Sequence, residues 1–137
     1  MAHTKFPCEV LTPEGEVFND EVEMVSTRTT LGLIAILAGH APLLARLEPT
    51  ELRLYRSDDE ILRYAQAEGF LQVSDSRALL LLAEVHELGE LDRAELESER
   101  ERATDALDSA PDGTEEAARA RRALRRAEAF LEVLDAG

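Results

Sequence analysis

The chain has 137 residues, of which 45% are hydrophobic and only 4% aromatic, so it can bury a core, and that core has to be aliphatic. A formal net charge of −14 argues against free nucleic acid or anionic lipid as partners, since both are polyanions. No apolar stretch approaches the roughly 20 residues of a membrane helix, the N-terminus MAHTKFPCEV lacks the apolar core of a signal peptide, and a lone cysteine, Cys8, permits no internal disulfide, which points to a cytoplasmic home.

Lys5 to Leu11 alternates weakly and contains Pro7, which cannot donate to a ladder; an edge strand or a strand start is expected. Pro13-Glu14-Gly15 is a turn, Glu16 to Phe18 a short strand, and Glu21 to Thr27 a half-buried strand by its alternation. Leu31 to Leu43 reads LGLIAILAGHAPL, an apolar run bracketed by Gly32 and Gly39 and broken at Pro42. It predicts a buried strand, central to the fold, running into a tight loop. In Glu51 to Arg56, Leu52 and Leu54 face one way and Glu51, Arg53 and Tyr55 the other. Ser57-Asp58-Asp59 turns that strand into a return strand over Glu60 to Gln66. Gly69 to Val73, the Ser74-Asp75-Ser76 turn and Ala78 to Ala83 form a second hairpin. Its last strand, Leu79-Leu80-Leu81-Leu82, is apolar on both faces and should lie inside the sheet. Short strands at this spacing indicate a sandwich or barrel.

Near Gly89 the period changes. Asp92 with Glu95 three residues on makes a capping-box-like start to a helix that runs to about Asp108. Ser109 to Gly113 is a stop and turn; Asp112 or Thr114 can cap a second helix, where Glu115 and Glu116 suit the positive dipole end. In that helix Ala117, Ala120, Leu124, Ala127, Leu131 and Leu134 form a coiled-coil-like seam, met by Leu96, Ala103, Leu107 and Ala110 with Arg100 on the same stripe. An antiparallel hairpin follows. Its seam is alanine-rich and shallow, so the hairpin should lean on the β domain or on a partner. Acids crowd the first helix, and Arg119, Arg121, Arg122, Arg125 and Arg126 crowd the second. That cluster reads either as a solvated face pairing with the first helix or as a docking face for an acidic segment.

No constellation reads as an active site. The three histidines, His3, His40 and His86, lie far apart in sequence without metal-ligand spacing, and no phosphate-cradling glycine motif occurs. His40 beside Pro42 is expected to hydrogen-bond backbone, Cys8 to be structural, and the scattered acids form no pair for acid–base work. No cofactor is expected and no metal.

From Val10 the chain reads VLTPEGEVFNDEVEMVSTRTTLGLIAILAGHAPLLARL. With the Thr12-Pro13-Glu14-Gly15 turn, the Val22 to Ser26 strand, the Gly32 to Leu43 block, Gly69-Phe70-Leu71-Gln72-Val73 and Leu82-Ala83-Glu84, it resembles the epsilon subunit of the bacterial F-type ATP synthase over essentially its whole length. The resemblance implies a flattened ten-stranded β-sandwich over residues 1–87 that binds the gamma subunit and the c-subunit ring. It implies a regulatory two-helix hairpin over 88–137 that folds down or extends along gamma to the catalytic beta and alpha subunits, where it inhibits ATP hydrolysis. The subunit so implied is a non-catalytic rotor component, peripheral at the cytoplasmic face of the bacterial plasma membrane, with no direct membrane insertion and no nucleic acid partner.

Residue by residue, the resemblance places Gly32, Leu33 and Ile34 at the c-ring contact and matches His40 and Pro42 in the same c-ring and gamma interface. Many relatives have glutamate where this chain has Leu33, so the contact is apolar here; Ala35 replaces a usual glycine. Arg119, Arg122 and Arg126 are the expected inhibitory docking residues. Some relatives bind ATP at the hairpin. Asp92 and Arg126 match that pattern, whereas Glu95-Leu96 stands where Arg-Ala would be and Phe130 where another arginine would be, so strong ATP binding is not expected. Two other classes compete with a rotor subunit: a nucleotide-sensing module whose hairpin closes on ATP, and a generic β-sandwich adaptor with a helical tail.

Overall fold

A computed structural model describes residues 3–136. They form ten strands: β1 (Phe6–Thr12), β2 (Gly15–Val22), β3 (Met24–Thr29), β4 (Gly32–Ile36), β5 (Leu43–Leu47), β6 (Thr50–Tyr55), β7 (Ile61–Gln66), β8 (Gly69–Ser74), β9 (Arg77–Leu82) and β10 (Val85–Glu87). A 3₁₀ turn at Leu88–Glu90 leads into α1 (Arg93–Ser109) and α2 (Glu115–Ala136). The chain divides into two compact units, Met1–Glu87 and Leu88–Gly137.

The hydrogen-bonded strand order is β10-β7-β6-β3-β5-β8-β9-β1-β2, with β4 on the other side of β3. All pairs are antiparallel except β1 with β9. Val25 pairs with both Ile36 of β4 and Leu54 of β6, and β3 meets β5 only at Thr29–Leu47. The path therefore folds at that one pairing into two five-stranded layers, β4-β3-β6-β7-β10 and β5-β8-β9-β1-β2. Together they are a ten-stranded β-sandwich followed by two helices. One aliphatic cluster lies between the layers, with Val25, Ile36, Leu52 and Leu54 from the first and Val10, Val22, Leu71 and Leu80 from the second. Each of these has at most 1% of its surface exposed, because strand alternation delivers every second side chain to the same face.

The turns follow their residue chemistry. Asp75 and Ser76 both take positive φ, 50° and 58°, which matches the mirror-image turn that suits the right-handed twist of the β8–β9 hairpin. Gly69 opens β8 where a Cβ would sit 2.0 Å from the Leu81 carbonyl oxygen, so only glycine lets β8 and β9 approach this closely. The buried polar groups are joined: the Thr27 hydroxyl donates to Gln66 Oε1 at 2.8 Å, and Gln66 Nε2 donates to the Glu48 carbonyl at 2.9 Å. On the outer face, Arg53 and Arg63 stand opposite each other on β6 and β7. The Glu51 carboxylate accepts from both and removes the repulsion. Burial works against ionisation of Glu51, but the hydrogen bonds from Arg63 and Arg53 overcome it and hold the carboxyl below its ordinary range.

Asp92 caps α1 by accepting from the amides of Ala94 and Glu95, and Thr114 caps α2 by accepting from Ala117 N at 3.2 Å. Arg93 reaches Asp135 at 2.7 Å and Arg126 reaches Glu99 at 2.8 Å, which fixes the two helices as antiparallel.

Four readings of the sequence need correction. The run after Leu31 does not make a buried central strand. β4 is a sheet edge with Leu33 and Ala35 exposed, and of its residues only Ile36 is fully buried. β2 is longer than Glu16 to Phe18 and takes Glu21 and Val22, so β3 begins at Met24. β9 does lie between β8 and β1, but Leu81 points outward and is 46% exposed. In the hairpin, Arg100 is exposed, Leu124 and Leu134 are only half-buried, and Phe130 and Val133 are buried instead. A single seam does not describe α2, which buries a wider face than one partner stripe covers.

Candidate functional site

The β3–β4 hairpin turns at Thr30-Leu31. Thr29 Oγ1 accepts from Leu31 N at 3.0 Å and donates to the Gly32 carbonyl at 3.1 Å, and Gly32 takes φ 128°, a conformation that L side chains rarely adopt. This fixed turn holds Leu31 98% exposed, with Leu33 74% exposed behind it. Ile34 alternates to the other face and packs against the core. Six residues then cross from the first layer to the second. In that crossing His40 N donates to the Leu37 carbonyl at 3.1 Å, and its ring Nδ1 meets the Ala41 carbonyl at 2.7 Å, the backbone bond expected for a loop histidine. Pro42, exposed, leads into β5, whose Leu44 is 73% exposed. Gly32, Leu33, Ile34, His40 and Pro42 thus belong to one corner of the sandwich, where the edges β4 and β5 are joined.

Further apolar and cationic side chains extend this corner, and the motif reading did not single them out. The backbone bonds Glu48 N to Arg28 O and Thr30 N to Arg46 O flank the Thr29–Leu47 pairing. Thr29 and Leu47 are buried, so Arg28 and Arg46 emerge together on the outer face. Arg28 lies opposite Leu33 on β4, and Arg46 opposite Phe70 on β8, which in turn lies opposite Leu81 on β9. A count of charges along the sequence would have marked the place, because Met24 to Leu47 contains no Asp or Glu.

On the hairpin, the residues matched to an ATP pattern have structural duties. Asp92 Oδ1 is taken up in the α1 cap, and the Arg126 guanidinium bonds Glu99 and sits 4.7 Å from the centre of the Phe130 ring. Arg122 bonds Glu115 at 3.1 Å within α2. Arg119 lines an open groove of about 670 Å³ between the helices, floored by Ala103, Ala106, Ala120 and Ala123. Arg119, Arg122 and Arg126 therefore differ in availability, since Glu115 engages Arg122 and Glu99 engages Arg126.

Elsewhere, Cys8 is buried on β1 and its thiol is pushed up to about 12 by burial, with Glu9 adding to the effect. His86 Nε2 lies 3.0 Å from Glu84 Oε1 beside the boundary between the two units. Among the described residues no cluster of His, Cys, Asp and Glu could hold a metal ion, and no helix is long and apolar enough to cross a membrane.

This architecture has known counterparts. Residues 5–88 match the family described as ATP synthase, Delta/Epsilon chain, beta-sandwich domain. The ATP synthase epsilon chain of Priestia megaterium is 39% identical over 103 residues, 75% of this chain and 76% of that one. The epsilon chain of Herpetosiphon aurantiacus is 37% identical over 125 residues, 91% of this chain and 90% of that one, and so spans both units. A chain in the Euglena gracilis mitochondrial ATP synthase (OSCP, F1 and c-ring) superposes with a TM-score of 0.83 at 21% identity, covering 95% of this chain and 81% of that one. A chain in the Tetrahymena thermophila central stalk and c-ring gives 0.61 at 16% identity, covering 98% and 99%; at these identities the two structures speak for the fold alone. On its β-sandwich and on relatives that match along nearly its full length, this chain belongs to the ATP synthase epsilon family, a non-catalytic subunit of the ATP synthase complex.

Proposed function

We propose that this chain is a rotor subunit of the central stalk, which couples rotation of the c-ring to the catalytic head through its sandwich and brakes ATP hydrolysis through its helices. The observation that carries the reading is the match to epsilon chains along both units, together with the exposed apolar corner at Leu31, Leu33 and Leu44. Large apolar side chains left in water on a fixed turn mark a surface made to be covered. In this reading Gly32, Leu33, Ile34, His40 and Pro42 meet the c-ring and the gamma subunit. The sandwich thereby sits peripherally at the cytoplasmic face of the bacterial plasma membrane.

The hairpin is the regulatory unit over residues 88–137. Its first helix, α1, buries only Leu96 and Ala103. Such an element changes partners at small cost, and its position is set by whichever partner state binds it better. Arg119, Arg122 and Arg126 would dock it on acidic segments of the catalytic beta and alpha subunits, with Arg119 the most available of the three.

The test is ATP hydrolysis by the assembled complex containing the full chain or a chain cut after Glu87. A rise in hydrolysis on truncation supports the brake. An unchanged rate in a complex that still assembles leaves the sandwich as a coupling adaptor and removes the regulatory role.

A further inference from the structure

The link between the two helices has a chemistry of its own. α1 ends at Ser109 and α2 begins at Glu115, and Pro111-Asp112-Gly113 lies exposed between them. Asp112-Gly113 is the only place in the chain where Asp or Asn precedes glycine. The side-chain carboxyl of an aspartate reacts with the amide nitrogen of the next residue when the carboxyl is untethered, the amide is not held in a hydrogen bond, and no Cβ crowds the imide ring that forms. Asp112 meets each condition. Among the described residues its carboxylate has no hydrogen bond and no ion pair, and the Gly113 N–H donates to nothing. The Pro111 carbonyl is taken instead by Thr114, whose N and Oγ1 donate to it at 3.4 and 2.7 Å. Gly113 has no Cβ, and where one would sit nothing lies within 4 Å. Other aspartates are held. Asp92 accepts from the Ala94 and Glu95 amides, Asp20 pairs with Arg56 and Asp135 with Arg93, and each is followed by a residue with a side chain.

We propose that Asp112-Gly113 is a self-modification site at which the turn of the hairpin converts to an isoaspartyl linkage. The Gly113 nitrogen attacks Cγ of the Asp112 side chain in its acid form. A C–N bond forms, the Cγ–OH bond breaks, and the hydroxyl leaves with the amide proton as water. Water then adds to the main-chain carbonyl carbon of residue 112 and breaks its bond to the Gly113 nitrogen. The chain now runs through Cβ and Cγ of residue 112, and the former main-chain carbonyl is a carboxylate. The water lost in the first step is regained in the second, and no cofactor or oxidant enters. Net charge is unchanged, so the consequence is geometric: the backbone gains one carbon between Pro111 and Thr114. Thr114 bonds Pro111 on one side of that carbon and caps Ala117 on the other. Lengthening the link therefore draws Thr114 off the start of α2, which loses its cap.

The experiment incubates the full chain for weeks at neutral pH and physiological temperature. Isoaspartate is read by methyl transfer from S-adenosylmethionine with an isoaspartyl methyltransferase, and located by fragmentation of the proteolytic peptide. Wild type should gain the linkage at residue 112, several-fold above Asp112→Glu, whose longer side chain closes the ring poorly. In the modified fraction, amide exchange at the start of α2 should be about fivefold faster than in fresh chain, the factor that corresponds to a lost N-cap, with sandwich amides unchanged. Isoaspartate that forms at residue 112 only in urea-unfolded chain means that the folded turn forbids the reaction, and overturns the proposal. Isoaspartate at another aspartate and none at 112 overturns it too. Modification at 112 with unchanged exchange overturns the effect on the Thr114 cap.

Discussion

Gly69, paired with Leu82 across the β8–β9 ladder, lies so close to the preceding residue of β9 that the carbonyl oxygen of Leu81 occupies the space a Cβ on residue 69 would need, 2.0 Å away. The obstacle is backbone in an interior strand, so it cannot swing aside as a side-chain tip would. Gly69→Ala has to push β8 away from β9, next to Leu71 and Leu80 in the core. Overpacking of this kind costs about 2–3 kcal/mol. Urea unfolding should show the midpoint shifted down by that free energy divided by an unchanged m-value; a midpoint within experimental scatter of wild type would show that the strands separate freely.

Thr27, Gln66 and the Glu48 carbonyl form a buried chain of hydrogen bonds linking β3, β7 and the turn before β6. Gln66→Leu strands both the Thr27 hydroxyl and the Glu48 carbonyl in an environment without water. Each unsatisfied group costs roughly 1–3 kcal/mol, so a loss of about 3 kcal/mol is expected. Thr27→Val should cost less, and the Thr27→Val, Gln66→Leu pair should cost less than the sum of the two single changes. Strict additivity would mean that the hydrogen bond contributes nothing.

The Glu51 carboxyl is held below its ordinary value of 4.5, with the Arg63 and Arg53 hydrogen bonds outweighing the effect of burial. A carboxylate with a depressed folded pKa contributes stability above its unfolded pKa and loses it as pH falls through the folded pKa. The stability difference between wild type and Glu51→Gln should be constant near neutrality and shrink below about pH 4.5. Guanidinium unfolding at a series of pH values measures it. A difference that grows on acidification would reverse the sign and refute the assignment.

Cys8 is 1% exposed and its thiol is raised to about 12 by burial and by Glu9. At pH 8 the native chain should react with a thiol reagent only at the rate of unfolding, and stoichiometrically once denatured. Rapid labelling of the native protein would show that β1 opens locally beside β2.

Asp92 accepts from two amides at the start of α1. Asp92→Ala removes an N-cap worth about 1 kcal/mol, and Asp92→Asn largely keeps it. Amide exchange in the first turns of α1 should accelerate about fivefold in the alanine variant, with sandwich amides unaffected. Hairpin amides that exchange as slowly as core strand amides would contradict the weak burial seen on α1.

Much of the architecture was legible in the sequence because it rests on local rules. The alternation of Leu52 and Leu54 with their polar neighbours, the Ser74-Asp75-Ser76 turn and the Asp92 cap each depend on a few adjacent residues, and each appears in the structure where expected. The corner at Leu31 to Leu43 was found but misread. An apolar run states that side chains avoid water, not whether their own core or another protein covers them. Only the packing of the two layers, which leaves one face of β4 and of β5 turned away from the shared core, decides that Leu33 and Leu44 face outward. Phe130 and Val133 escaped for a related reason. A seam drawn for one partner helix takes one stripe, and the burial of a second stripe on α2 is a property of the folded unit.

Length, charge, alternation and capping residues by themselves determined that this chain makes a small strand-rich unit followed by two helices, because those signals act over neighbouring residues. Tertiary structure alone decided which apolar residues stay in water and which arginines lack an acid. Arg28 and Arg46 come from strands separated by the whole β3–β4 hairpin and its crossing loop. Only the Thr29–Leu47 pairing, which they flank diagonally, brings them to the same corner.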